Sequence, residues 1–385
     1  MREQLAAVRP GELGELDTRR HNFPGYWARP LTGHDADRST SSLAGWSINQ
    51  VLSGYQREVA TKDLAEVTSV HHAQMPGRAI DRGAALVVPE SPWASGYFLP
   101  YQGGARVTEY VEGGGTQWES DLSEFATVAG NPDPVLLVGL SGSRHLQAGS
   151  KSAEDWDGAV IAPRLNERSV VRWGDTLYAE LPMFSDAAGH GTLGSDAYDR
   201  GWTRMYRNGA LVGESAWPGK FDRDGVPAEP GPASYRLETG YERSQWSRVS
   251  TGATMSWTFK SETAPEGVEQ PMPLWSVRFQ PKVDLDNAVA RSAVTTVPLV
   301  VESVPTSKVG TMKTVKVQVS GDGGKTWEAA AVAPAGEGRY TAIFPTPVGA
   351  KSLSLKANLT DSLGNTTEQN FTDAVRIADC PTGTC

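Results

Sequence analysis

The triplet His190-Gly191-Thr192 has the residue types with which an acyl-transfer triad can present its general base. Such a triad also needs an aspartate to orient the imidazole and an activated serine. The stretch STGATMSW, residues 250–257, approaches a nucleophile motif that opens a helix, but Thr254 stands where the serine belongs. Its continuation SWTFKS places Trp257 and Phe259 on one face of a strand, so no helix is expected to follow. The Asp-Ser/Thr-Gly motif expected upstream of His190 is absent, since Asp157-Gly158 and Asp186-Ala187 do not match it. His190 is therefore expected in an exposed loop between two strands, with no catalytic role. GLSGSRHL, residues 139–146, is not Gly-x-Ser-x-Gly, so Ser141, Ser143 and His145 are expected to be loop residues. His71 and His72 are adjacent, and in an extended segment their side chains point to opposite faces. They are expected on the surface or in packing, not as a metal pair. No catalytic and no metal-ligating residue is assigned.

Other candidates bind or staple rather than react. SGDGGKTW, residues 320–327, has the form Ser-x-Asp-x-Gly-x-Thr-Trp of an Asp-box. Asp322 is expected to accept backbone N–H groups across the turn, with Gly324 supplying an unusual φ and Ser320, Thr326 and Trp327 closing the hairpin. A sialidase propeller would repeat the box every ~40–50 residues. One clear copy occurs, so a structural hairpin is expected, and a sialidase-like glycosidase is the minor alternative. Trp202, Trp257 and Trp275 lie in or beside alternating strands and are expected in the core. Trp217, in SAWPGKFD, and Trp246, in RSQWSR, occupy polar turns and are the candidates for exposed, substrate-binding aromatics. The acidic turns DWDG (155–158), DRDG (222–225) and DLDN (284–287) lack full EF-hand spacing, so no cofactor is expected beyond weak structural calcium. The two cysteines, Cys380 and Cys385, flank a Pro/Gly tetrapeptide suited to a small disulfide loop.

The elements that must position these residues are strands. Short β-rich runs alternate with Gly- and Pro-marked turns, as in stacked antiparallel sandwiches. In TVKVQVS, Val315, Val317 and Val319 share one face and Lys316 and Gln318 the other. Asn208-Gly209 between two strand-like runs predicts a type I′ hairpin. Residues 49–67 carry a weak helical pattern. The fold class is all-β and multidomain. Residues 1–165 are an irregular β-rich region, 166–282 a sandwich, 290–379 an immunoglobulin- or fibronectin-III-like sandwich and 380–385 a Cys-loop tail, with a linker at 280–292. A net charge of −9 without a Lys/Arg cluster argues against nucleic acid or an anionic membrane as partner. No run of ~18 apolar residues suggests a transmembrane helix, and the N-terminal stretch lacks the apolar core of a signal peptide.

Residues 177–215 (LYAELPMFSDAAGHGTLGSDAYDRGWTRMYRNGALVGES) carry a resemblance, as do ASYRLETGYERS, MSWTFKSE and MPLWSVRFQPKVDLDNAV. They are similar to the region that follows the catalytic domain in large secreted actinobacterial peptidases of the subtilisin-like (S8) family. VKVQVSGDGGKTWEAAAV and SLSLKANLTDSLGNTTEQNFTDAVRI resemble that family's last β-sandwich. The similarity covers residues 100–379 and departs from the family at DCPTGTC. It implies an extracellular, non-catalytic accessory region. Such a region would stabilise or position a protease domain, in cis or in trans, or its polymeric protein or polysaccharide substrate. A free-standing glycan- or protein-binding sandwich is the alternative.

Overall fold

A computed structural model describes residues 25–31, 40–48, 61–87, 95–113, 117–126, 135–194 and 198–379. The protein is all-β, built of several mostly antiparallel sheets. Among the described residues the one helical element is a 3-10 turn, Thr61–Asp63. Of the stretch given a helical pattern, residues 49–60 lie outside the described residues. The rest enters the strand Leu64–His71, where Ala65, Val67 and Ser69 are buried in alternation. The two-residue period prevailed because it is completed by pairing with Ala105–Glu112 on one side and Lys151–Trp156 on the other.

The N-terminal part packs two five-stranded sheets. One runs Gly25–Leu31, Thr40–Ile48, Ala105–Glu112, Leu64–His71, Lys151–Trp156. The other runs Gly191–Gly194, Val135–His145, Gln117–Ala126, Ala79–Val87, Ser95–Gln102. Arg82 and Arg144 reach across to Glu109 at 3.3 and 3.0 Å, and Arg144 also meets Glu154 at 3.3 Å. Two guanidiniums against two carboxylates leave this interior without net charge, the condition for holding buried ions.

Beyond residue 158 one large sheet organises the chain. Its order is Ala210–Ser215, Arg200–Arg207, Ala233–Glu242, Gly252–Ser261, Thr366–Ile377, Ser352–Asp361, Met312–Ser320, Glu328–Ala329. Two four-stranded sheets accompany it. One contains Val226–Pro227, Thr176–Ala179, Val170–Trp173 and Glu269–Pro271; the other contains Trp275–Phe279, Val294–Ser303, Arg339–Pro345 and Ala331–Gly336. One apolar cluster joins all three, from Val170 and Leu177 through Tyr235, Trp257 and Phe259 to Val297, Leu355 and Phe371. Trp257 and Phe259 are buried on the face their alternation indicated, and Val317 and Val319 likewise. The Asn208-Gly209 hairpin forms as expected, with φ of 48° and 86° and Arg207 paired to Ala210.

The expected break between residues 166–282 and 290–379 is absent from the sheet. Gly252–Ser261 pairs with Thr366–Ile377 from Gly252↔Thr372 to Thr258↔Thr366. Residues 280–292 are a structured crossing rather than a loose linker. Asp284 Oδ1 accepts the N–H groups of Asp286 and Ala288, and Ala288–Val289 pairs in parallel with Arg376 and Ile377. Asp and Asn suit a free linker and a closed Asx turn equally, so composition could not separate the two.

Candidate functional site

His190 is not the exposed loop residue expected. It is 16% exposed at its side chain, and its Nδ1–H donates to Asp186 Oδ2 at 2.7 Å. Its ring lies flat on Trp156, centroids 3.5 Å apart, and Arg82 covers the other face of that indole at 4.2 Å. Asp186 is fully buried and also accepts the N–H groups of Asp157, Gly189 and His190 at 2.9–3.0 Å. Gly191 and Thr192 then pair with Ser141 and Leu140 and complete the edge of the second N-terminal sheet. Gly142 lets the imidazole lie this close, because a Cβ there would meet His190 Cδ2 at 2.9 Å. The triplet thus acts as a clasp that ties the body beyond residue 158 onto the N-terminal sheets.

Among the described residues no serine hydroxyl is bonded to the His190 ring. Ser141, Ser143 and His145 lie on the strand Val135–His145 rather than in a loop, and Ser143 Oγ donates to Glu119. Thr254 is exposed on the strand Gly252–Ser261. His71 and His72 are both buried. Burial, with Arg82 nearby, pushes the His71 imidazole down to about 3, so it is neutral. His72 Nδ1–H donates to the Asp284 carbonyl at 2.8 Å, and its Nε2 faces Asp155 at 3.4 Å.

A second polar cluster fills the seam beside the clasp. Gln74 donates to Asp157 at 2.5 Å and accepts from Arg243 at 2.7 Å. Asn287 donates to the carbonyls of Ala73 and Asp157 and accepts from Ala159 N–H. Glu124 stands against Asp157, and both carboxyls are buried. Burial first, then the neighbouring Glu124 charge, raises Asp157 well above the usual carboxylate range. Burial also raises Glu124, against the pull of Asp157, Arg243 and Arg78. Arg243 is buried as well, and burial lowers it. Two carboxyls facing one guanidinium are neutral overall if the pair keeps one proton.

The open surface feature is a groove of about 840 Å³ beside the sheet that carries Val170–Trp173. Trp217 and Trp173, 47% and 53% exposed, both line it, together with Tyr178, Tyr198 and Phe221. The backbone beside each indole is anchored from below. Thr203 Oγ1 donates to the Trp217 carbonyl at 2.7 Å, and both Thr203 and Thr239 hydroxyls accept Gly219 N–H at 2.8 Å. Lys220 lies over the Trp217 ring at 4.9 Å. Beneath Trp173, the buried Arg172 donates to the Gly174 and Ala228 carbonyls and to Asp175. Trp173 and Tyr178 also line a second hollow of about 530 Å³, bordered by Thr263 and Glu266.

Of the two tryptophans expected to be exposed, Trp217 lies open in this groove. Trp246 does not: it is half-buried against Ile80, Leu122 and the other residues of the N-terminal core. In the polar turn RSQWSR only Ser244 and Gln245 are exposed, while Arg243 and Ser247 are buried and the indole packs against the N-terminal core. Trp173 and Asp186 were missed by sequence reasoning. Trp173 lies in a strand-like run and was not weighed among the tryptophans, and Asp186 matched no motif. The signal for Trp173 was its place beside Gly174-Asp175, a hairpin corner.

The Asp-box hairpin takes its expected form. Ser320 Oγ donates to Asp322 Oδ1, Lys325 and Thr326 N–H donate to the same oxygen, and Thr326 Oγ1 donates to Oδ2 at 2.6 Å. Gly324 has φ 85°, its carbonyl accepts Trp327 Nε1–H, and Lys356 covers that indole at 4.5 Å. These bonds, the Ser320 one first, hold the Asp322 carboxyl below the usual range. The acidic turns are used internally: Asp157 in the seam, Asp284 in its Asx turn, and Asp222 at the groove rim, its carbonyl accepting Gly225 N–H. Among the described residues no group of three or more His, Cys, Asp or Glu is placed to hold a metal, and no helix is long and apolar enough to cross a membrane. Cys380 and Cys385 lie outside the described residues. No protein-family pattern matches the chain, and no curated protein aligns with it.

Proposed function

We propose that this chain is the non-catalytic accessory region of a secreted subtilisin-like serine peptidase, holding a polymeric substrate beside a protease domain. One observation supports it most. Both exposed tryptophans of the described residues lie in one groove, and the backbone beside each is anchored by a buried side chain, Thr203 at the Trp217 carbonyl and Arg172 at the Gly174 carbonyl. A backbone already ordered lowers the entropy cost of binding. The internal use of His190 as a clasp supports the non-catalytic reading.

The test is co-sedimentation of the purified chain with insoluble collagen, keratin, chitin and cellulose. Retention on at least one, reduced by Trp217→Ala, is expected; retention on none overturns the substrate-holding reading. A fluorophosphonate serine-hydrolase probe is expected to leave the chain unlabelled. Labelling abolished by His190→Ala would overturn the non-catalytic reading.

A further inference from the structure

We infer that the groove binds an uncharged polysaccharide chain, stacked on Trp217 and Trp173. This rests on the groove being the polymer site, and it names the polymer. Pyranose rings present faces of weakly positive C–H groups, which fit the negative face of an indole. Lys220 already covers one face of Trp217, so a sugar takes the other.

Charge decides against an ionic polymer. Arg168, Lys220 and Arg223 line the groove against Glu180, Asp222 and Glu269, three cations against three carboxylates. Arg168 and Glu269 also bridge each other at 3.0 Å. The groove itself has no excess of either sign, and Glu266 at the second hollow adds a single carboxylate, too little to attract a polycation and of the wrong sign for a polyanion. What remains are planar guanidinium and carboxylate groups at a rim, suited to hydroxyl pairs.

The sheet edges decide against a peptide. An extended peptide gains affinity by adding a strand to an open edge. The sheet at the groove ends in Glu269–Pro271 on one side and Val226–Pro227 on the other. A proline at each edge removes a donor that an added strand needs. The groove of about 840 Å³ is large enough for more than one sugar, and a second hollow of about 530 Å³ shares Trp173 and Tyr178 with it.

The test is titration of the full chain with chitohexaose and cellohexaose, followed by tryptophan fluorescence and calorimetry, beside gelatin and polygalacturonate. A neutral hexasaccharide is expected to bind more tightly than its disaccharide. Trp217→Ala and Trp173→Ala should each weaken it about tenfold or more, and Leu363→Ser, outside the groove, should leave it unchanged. Trp217→Phe, which keeps an aromatic face, should lose less than the alanine variant and guards against misfolding. Gelatin binding that depends on Trp217, without hexasaccharide binding, overturns the polysaccharide inference and leaves the polymer site standing. Preference for polygalacturonate also overturns it. Binding of no ligand at all overturns both readings.

Discussion

Replacing Asp157 by Asn tests whether the seam between the two bodies holds a shared proton. Asp157 is fully buried, and its carboxyl is raised by burial and by Glu124. Between the ordinary aspartate pKa, about 3.9, and the raised one, the folded chain binds one proton more than the unfolded chain. Stability must then fall as pH rises through that window, by about 1.4 kcal/mol per pH unit, and level off above the folded pKa. In Asp157→Asn the amide replaces the shared proton, donating to Glu124 while its oxygen still accepts from Gln74. Asn also suits the φ of 59° at this position. The variant should therefore gain on the wild type as pH rises. Urea unfolding at pH 5, 6, 7 and 8 measures both curves. Parallel curves would refute the shared proton, because every other titrating group is common to the two proteins.

Asp186→Ala strands the His190 imidazole and three backbone N–H groups, and should cost about 3–5 kcal/mol in urea unfolding; a loss under about 1 kcal/mol would mean the clasp is ornamental. Gly209→Ala meets nothing within 4 Å, so its cost of about 1 kcal/mol should be purely that of a Cβ at φ 86°. Asp322→Asn should lower the melting temperature at pH 7. The stability contributed by the depressed Asp322 carboxyl is present above the unfolded pKa and lost as pH falls through the folded one. The gap between variant and wild type should therefore narrow only in strong acid, which melting curves taken downward from pH 5 would follow.

The local pattern was legible because it is set by neighbours in sequence. Alternation gave the buried faces of Gly252–Ser261 and Met312–Ser320. Asn208-Gly209 gave its hairpin, and the Asp-box gave its hydrogen bonds before any coordinates. What stayed hidden depends on partners far along the chain. Asn287 looks like linker composition until Ala73, Asp157 and Ala159 are brought to it. His190 sits among small polar residues, the composition of a loop, but its surroundings are Trp156 and Gly142, 34 and 48 residues away. Trp246 was expected to be exposed and is half-buried for the same reason. A strand's outward face and a turn's inward face are decided by which sheet covers them.

Folding alone explains only half of the groove. Arg172 is buried and makes hydrogen bonds to two carbonyls and a carboxylate, which stabilises the hairpin corner at Gly174 whatever residue precedes it. Thr203 and Thr239 fix the turn at Gly219 equally well with any side chain at position 217. Neither anchor needs an indole above it. A half-exposed tryptophan still buries half of its surface on folding, so its presence at either place is compatible with stability alone. What sets this pair apart is that both indoles open into one groove, the arrangement that the proposed polymer site requires and that Trp217→Ala and Trp173→Ala test together.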